Sequence, residues 1–368
     1  MLDGEVVTTI YADLTAGNDL DLTLAKVLVE NVNLSFQGSQ KIGAFDIPGE
    51  FAREWLKRPN SNNKPNADVI KPSWNGMDIT RNPRDGWIID FGTTMTESDA
   101  ALYEVPFQYV VEHVKPERVV NPRPIRAKYW WRHGDAQPAM RAAIKSIARC
   151  IATSEVSKHR LFVWLPTKVM PDKRLIVIAC DNDTTFGVLH SRFHEIWSLK
   201  MCTWMGVGND PCYRPTTCFE TFPFPVGLTP REHAVVASKA KQSIDDSGLP
   251  RASGSRNDVA LNIAQAAQRL NELRENWLNP AEWVDWAITP EEKKAGYPKR
   301  AIAKAGFEAE LKKRTLTNLY NLRPAWVDNA HKALDSAVAI AYGWVDYTAE
   351  MPDDEILRRL LKLNLERS

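Results

Sequence analysis

Ser157-Lys158-His159-Arg160 places four donor-bearing side chains in a row, just ahead of the apolar run Leu161–Leu165. Lys, Arg and Ser/Thr donors suit phosphate oxygens, and Arg, Asn and Gln suit base edges. The row is therefore a candidate for contacts to nucleic acid, although a solvated strand end carries the same residue types. His190 and His194 stand four apart and are followed by Glu195, which on a helix offers two imidazoles to a metal. A third ligand at a familiar spacing is missing and the pattern is not HExxH, so no metal ligand is assigned. No G-x-S-x-G elbow marks a nucleophile, and nothing in the sequence beside Cys202, Cys212 or Cys218 lowers a thiol pKa. Gly206-Val207-Gly208-Asn209-Asp210 is a tight turn with no helix start after it, unlike a phosphate-cradling loop. No catalytic residue is assigned.

Charge distribution says more than the total. The 368-residue chain has a formal net charge of only +1. Between Lys115 and Arg174, however, fourteen Lys and Arg face four acids, a local excess of ten positive charges. Such an excess is the electrostatic footprint expected of a surface that meets a polyanion, unless its cations face solvent or pair with acids elsewhere. Its densest part, VVNPRPIRAKYWWRHGDA (119–136), interleaves Lys128 and Arg132 with Tyr and Trp. Arg81 and Arg84 lie on a loop further upstream, where pairing of Arg81 with Asp78 or Asp85 is the plainer alternative. Arg192 lies in the histidine-bearing helix. The candidate DNA contacts are Arg81, Arg84, Lys128, Arg132, Lys158, His159, Arg160 and Arg192.

The elements that would position these residues follow from periodicity and turn chemistry. Leu161–Leu165 and Leu175–Cys180 read as short buried strands joined through Pro171-Asp172. Thr184–Lys200 reads as one helix, capped by Asp181-Asn182-Asp183. Ile47-Pro48 opens a helix that runs over Gly49–Arg58, followed by a breaker-rich loop at 59–66. A possible short strand falls at Asp68–Lys71, followed by Asn75-Gly76 and Asp78–Arg81, and Trp87–Phe91 reads as a strong buried strand. Thr96–Val114 reads as a helix N-capped by Thr96 or Ser98 and ended by Pro116. Gln137–Cys150 reads as another helix, basic at Arg141, Lys145 and Arg149. Phe219–Pro225, alternating Phe and Pro, reads as a stiff strap that anchors its rings.

Beyond Pro225 the composition turns helical. Thr229-Pro230-Arg231-Glu232 starts a helix that extends to about Ile244. A linker follows at 248–256, then helical stretches at 260–277, 307–320, 323–342 and 353–366. Lys312-Lys313-Arg314 is a basic triplet that fits either a solvated helix end or a touch on DNA backbone. Val6–Tyr11 could be a strand, and Leu22–Leu28 a short strand or helix. Five cysteines with no CxxC pair suggest a reducing compartment. No apolar run approaches 18 residues and no signal peptide is evident, so a cytoplasmic protein with no membrane span is expected.

Several long stretches resemble one family. They are NADVIKPSWNGMDITRNPRDGWIIDFG (66–92), ATSEVSKHRLFVWL, GVLHSRFHEIW, GVGNDPCYRPTTCFETFPFP, LKKRTLTNLYNLRPAWVDNAHKALDSAVAIAYGW (311–344) and EILRRLLKLNLER (355–367). Together they are similar to the target recognition domain and C-terminal helical region of MmeI-like (type IIL/IIG) restriction–modification DNA methyltransferases. The resemblance spans roughly residues 33–367. It implies recognition of double-stranded DNA for adenine-N6 methylation, with S-adenosylmethionine as methyl donor in the complete enzyme and a catalytic methyltransferase half as partner, in the same or a separate chain. One departure matters. The family's glycine motif for S-adenosylmethionine and its Asn-Pro-Pro-Tyr/Phe motif are both missing, because Asn82, Asn121 and Asn279 continue as NPRD, NPRP and NPAE. No cofactor is therefore assigned to this chain, and methyl transfer by it alone is not expected. The expected fold is α+β: a remnant of the methyltransferase domain at 1–32, a recognition domain with small mixed sheets at 33–226 and an all-helical C-terminal domain at 227–368. The alternative is an interaction or structural subunit that docks a separate methyltransferase or nuclease chain and has little DNA affinity of its own.

Overall fold

A computed structural model describes residues 20–205, 210–232 and 256–368. The strand expected at Val6–Tyr11, the turn at Gly206–Asn209, the helix beyond Glu232 and the linker up to Ser255 lie outside these residues. The architecture is α+β. Two compact units form: Phe36–Asp181 with Arg274–Leu322, and Met1–Ser35 with Asn182–Leu273 and Arg323–Ser368. Each is built from separated stretches, so the units cut across the sequence blocks 1–32, 33–226 and 227–368.

The first unit holds the two four-stranded sheets. Its elements are β1 (Ser35–Gln37), β2 (Asp46–Pro48), α1 (Gly49–Lys57), β3 (Ile70–Trp74), α2 (Gly76–Thr80) and β4 (Gly86–Ile89). Short helices follow: α3 (Glu97–Ala100), α4 (Glu104–His113), α5 (Lys115–Val119), α6 (Pro124–Lys128) and α7 (Pro138–Ile144). Then come β5 (Arg149–Ser154), β6 (Phe162–Pro166), β7 (Met170–Pro171) and β8 (Leu175–Ile178). One sheet has the order β1-β8-β5-β6 and the other β2-β4-β3-β7. The second is mixed, since β3 pairs antiparallel with β4 and parallel with β7. All four residues of β8, Leu-Ile-Val-Ile, are buried, the pattern of a strand covered on both faces. A core of Phe45, Ile70, Trp87, Ile89, Phe91 and Trp130 fills the space against the second sheet.

Four helices expected from periodicity are interrupted: the stretch 307–320 splits into Glu308–Lys313 and Leu316–Leu322, and the other three break for a visible reason. The stretch Gln137–Cys150 is helical only to Ile144. Its end becomes β5, because Ile151 and Thr153 complete a ladder between β6 and β8 that outweighs local helical periodicity. The stretch Thr96–Val114 breaks between α3 and α4, where Tyr103 turns inward and donates to Asp68 Oδ2 at 2.9 Å. Thr96 does cap α3, accepting the Asp99 N–H at 3.1 Å. Pro116 does not end a helix but sits in the first turn of α5. The helix expected over Thr184–Lys200 divides at Ser191, which has extended backbone (ψ 156°).

The second unit is mainly helical. Asp183–His190 and Arg192–Met201 pack with the helices Ala325–Ala341 and Asp353–Arg367. The amide released by the break at Ser191 is recovered, since Asp335 Oδ1 accepts the Arg192 N–H at 2.7 Å. The Phe-Pro strap behaves as its composition implies. Phe219, Phe222 and Phe224 are all buried and meet edge to face, with Phe222 and Phe224 centroids 5.0 Å apart. The C-terminal third of the chain is not wholly helical. In the first unit, Val284–Ala287 and Arg300–Ala303 form an antiparallel hairpin. Among the described residues no helix is long and apolar enough to cross a membrane.

Candidate nucleic-acid interface

Asn75 and Asp78 set the first part of the site. The Asn75 side chain accepts the Met77 and Asp78 N–H groups, and Asp78 Oδ2 accepts the Asn75 N–H at 2.8 Å, so a reciprocal capping box makes Gly76–Thr80 a helix. Asp78 is buried, and Arg84 forks onto it: Nε to Oδ1 and Nη2 to Oδ2, both 2.9 Å. The Asp78 hydrogen bond and charge hold the Arg84 pKa above its usual value. Arg84 thus ties down the loop that carries Arg81, while Asp85 is taken by Arg53 at 2.8 and 3.1 Å. Arg81 itself, at the C-terminal end of α2, is exposed, and its side chain has no ion pair or hydrogen bond among the described residues.

The helix Leu316–Leu322 brings the second part alongside. Thr317 Oγ1 donates to the carbonyl of Thr80, next to Arg81, at 3.0 Å. One turn further, Asn321 Oδ1 meets both Lys158 Nζ at 2.7 Å and His159 Nε2 at 2.9 Å. Positions i and i+4 on a helix are neighbours on one face, so this single turn links Arg81 with Lys158 and His159. Asn82 reinforces the join through its Nδ2, 3.0 Å from the Lys312 carbonyl. Gly76 lies so close to β5 that a Cβ there would sit 2.4 Å from Ser154 Oγ. That contact fixes α2 against the entrance to the 157–160 segment. The sequence marked the cations but not Asn321 and Thr317, whose types alone carry no signal.

The remaining candidates have other surroundings. Arg160 is 4% exposed, with Nη1 directed at the Ser154 carbonyl, so its guanidinium is not presented at the surface. Arg132 gives three N–H groups to the Thr93 and Met95 carbonyls and lies over the Tyr129 ring at 4.6 Å. Lys128 is exposed and rests on Tyr129 at 5.3 Å. Trp130 and Trp131 are buried, so the aromatic half of this segment serves packing. Arg192 belongs to the second unit, where it clamps the Ala349 and Met351 carbonyls and Asp353. Much of the local charge excess is likewise committed: Arg141 pairs with Asp90, Arg174 with Glu155, and Arg118 is buried. Arg123, Lys128, Lys145, Lys158 and Lys168 remain exposed within the 115–174 stretch and have no carboxylate partner there.

His190 and His194 do not share a helix face, because the chain breaks between them. Both are buried: His190 Nδ1 lies 3.2 Å from the Phe186 carbonyl, and His194 Nε2 lies 3.1 Å from Tyr213 Oη. Among the described residues no three His, Cys, Asp or Glu side chains are grouped to hold a metal. None of the five cysteines is in a disulfide, and burial pushes the Cys150 thiol up to about 12.

With this geometry in view, the fold is similar to part of a restriction–modification enzyme. The solved structure of the type IIL restriction–modification enzyme MmeI in complex with DNA superposes with a TM-score of 0.63 at 14% sequence identity. The alignment covers 98% of this chain and 39% of that one. At that identity the likeness is one of fold, and it extends over both units rather than a single motif. No protein-family model and no curated protein matches the chain.

Proposed function

We propose that the chain is a sequence-specific recognition module for double-stranded DNA, serving an adenine-N6 DNA methyltransferase of restriction–modification type. One observation carries the proposal: the likeness in fold to an enzyme solved on DNA runs through 98% of the chain. The grouping of Arg81, Lys158 and His159 around one turn of Leu316–Leu322 supports it, since phosphate contacts need exposed donors on a rigid base. The Arg84 fork on buried Asp78 and the Thr317 contact supply that base.

The chain spans 39% of the length of the enzyme it resembles, and its sequence lacks the motifs for methyl transfer. In this proposal S-adenosylmethionine and the transfer chemistry belong to a catalytic half, in the same or a separate polypeptide, and this chain supplies the grip. Binding to a labelled duplex across a salt series tests it. Phosphate-based binding weakens steeply, with a log–log slope of about −0.9 for each phosphate neutralised. Absent or salt-insensitive binding would instead favour a subunit that docks protein through apolar surface.

A further inference from the structure

We propose that a second, separate feature of the first unit is a site for a phosphate group: a pocket of about 220 Å³ walled by Arg118, Arg126 and Arg132. Its other walls include Thr93, Ile125, Tyr129, Pro138 and the buried His133, and no carboxylate lines it. Arg118 is 2% exposed, yet its partners are all neutral. Its Nε, Nη1 and Nη2 atoms donate to the carbonyls of Arg126, Lys41, Ile42, Tyr129 and Arg132 at 2.7–3.3 Å. These dipoles hold the guanidinium in place but do not cancel its charge. A buried charge without a counter-ion is costly, and a second cation beside it makes it more so. Arg126 is that second cation; burial and then its charge lower the Arg118 pKa.

The Arg126 side chain is half-buried at the pocket and has no ion pair or hydrogen bond among the described residues. Arg132 uses three of its five N–H groups on the Thr93 and Met95 carbonyls, which leaves two donors. Three guanidinium groups, with spare donors on two of them, suit a tetrahedral oxyanion that accepts several N–H bonds at once. Ile125, 63% exposed at the lip, offers an apolar surface to whatever carries the phosphate. Two sources share this chemistry: a phosphodiester of duplex DNA, or a free phosphate or phosphate ester. Only the first rests on the function proposed above.

The test titrates the full chain with inorganic phosphate at constant ionic strength by calorimetry and, in parallel, with a labelled duplex. Saturable one-to-one phosphate binding is expected, weakened about tenfold or more by Arg126→Gln and unchanged by Lys57→Gln, an exposed position outside the pocket. Arg126→Lys keeps the charge and should keep part of the affinity. Phosphate should also raise the melting midpoint of the wild type and not of Arg126→Gln, a readout that tolerates a small loss of stability in the variant. No saturable phosphate binding, or equal binding by wild type and Arg126→Gln, overturns the pocket even if the duplex still binds. Duplex binding absent while the Arg126-dependent phosphate site remains overturns the DNA proposal and not the pocket. Competition between duplex and phosphate assigns the site to the DNA backbone; simultaneous binding assigns it to a free phosphate ester.

Discussion

Arg141 meets the buried carboxylate of Asp90 with both ends of its fork, Nη1 2.7 Å from Oδ2 and Nη2 3.0 Å from Oδ1. Lys71 Nζ lies 3.2 Å from the same carboxylate and the Gly92 N–H donates to it at 3.1 Å. One side chain thus joins α7, β3 and the end of β4. Arg141, which the sequence counts within the local excess of positive charge, is thereby turned into scaffold together with Lys71.

Removing that carboxylate should be expensive. Asp90→Asn leaves Arg141 and Lys71 facing a neutral amide, and the expected loss is about 3 kcal/mol by urea denaturation. The pH dependence follows from the same contacts. Burial alone would raise the Asp90 pKa, but the charges of His133, Arg141 and Lys71 and the Arg141 hydrogen bonds hold it well below the carboxylate range. A depressed folded value means that the unfolded chain binds the proton first. The stability from Asp90 is therefore complete above the unfolded value near 4 and is lost as pH falls below it. Melting between pH 3 and 7 should show a steeper acid loss for wild type than for Asp90→Asn. Parallel curves would show that Asp90 is not the acid-sensitive group.

Asp335 has the opposite sign. It lies in the second unit, 8% exposed, and burial raises its pKa to about 7 despite the Arg192 N–H that it accepts. Glu195 adds to the rise, while Arg192 and Arg323 oppose it. Here the folded chain binds the proton more tightly than the unfolded one, so stability declines as pH rises from about 4 to about 7 and stays low above that. Asp335→Asn retains an oxygen for the Arg192 N–H and removes the ionisation. It should gain on the order of 1–3 kcal/mol at pH 8 and nothing at pH 4. A variant less stable at both pH values would mean that the carboxylate is needed in its charged form.

Gly187 sits where two neighbouring helices come closest within the second unit. A Cβ there would lie 2.7 Å from Ile263 Cγ2, 3.0 Å from Ala267 Cβ and 3.1 Å from Leu334 Cδ1. Alanine gains about 0.5–1 kcal/mol of helix propensity, but the forced separation of Ile263 and Leu334 costs about 1–3 kcal/mol. Gly187→Ala should therefore lower the melting midpoint, and Ile263→Ala in the same chain should restore part of the loss. A stabilised Gly187→Ala would show that the helices yield without strain.

Local pattern made some of this visible and hid the rest. β6, β8, the helix opened by Pro48 and the Phe-Pro strap were readable because each carries its own periodicity or stiff residues. β5 was not, since Ile144, Ile147 and Ile151 continue a helical spacing and only the partners on either side make Arg149–Ser154 a strand. The breaks at Ser191 and at 101–103 depend on Asp335 and Asp68, residues 144 and 35 positions away from Ser191 and Tyr103, which no window contains. Among the cations, type and local density suggested Arg81, Lys158 and His159. Neither could separate them from Arg84 and Arg160, whose fates are decided by Asp78 and by burial. Asn321, which gathers Lys158 and His159, left no trace in composition or spacing.

That separation yields the sharpest expectation for DNA binding. Arg81 is exposed and unpartnered among the described residues, whereas Arg84 is bound to buried Asp78. Arg81→Ala should leave the unfolding free energy within about 0.5 kcal/mol of wild type. It should weaken duplex binding and lower the salt slope by about 0.9. Lys158→Ala should do the same with a small further cost from the lost Asn321 contact. Arg84→Ala frees the Asp78 carboxylate, which keeps only backbone N–H partners at Asn75 and Arg84, and should cost about 1–2 kcal/mol of stability. Its DNA affinity should fall in step with the folded fraction, with the salt slope of the remaining folded protein unchanged. Arg160→Ala, at a buried position, belongs with Arg84→Ala. If Arg84→Ala or Arg160→Ala lowers the slope at full stability, those guanidinium groups leave their partners to reach phosphate, and the division between scaffold and contact cations, drawn from the Asp78 pairing of Arg84 and the burial of Arg160, is wrong.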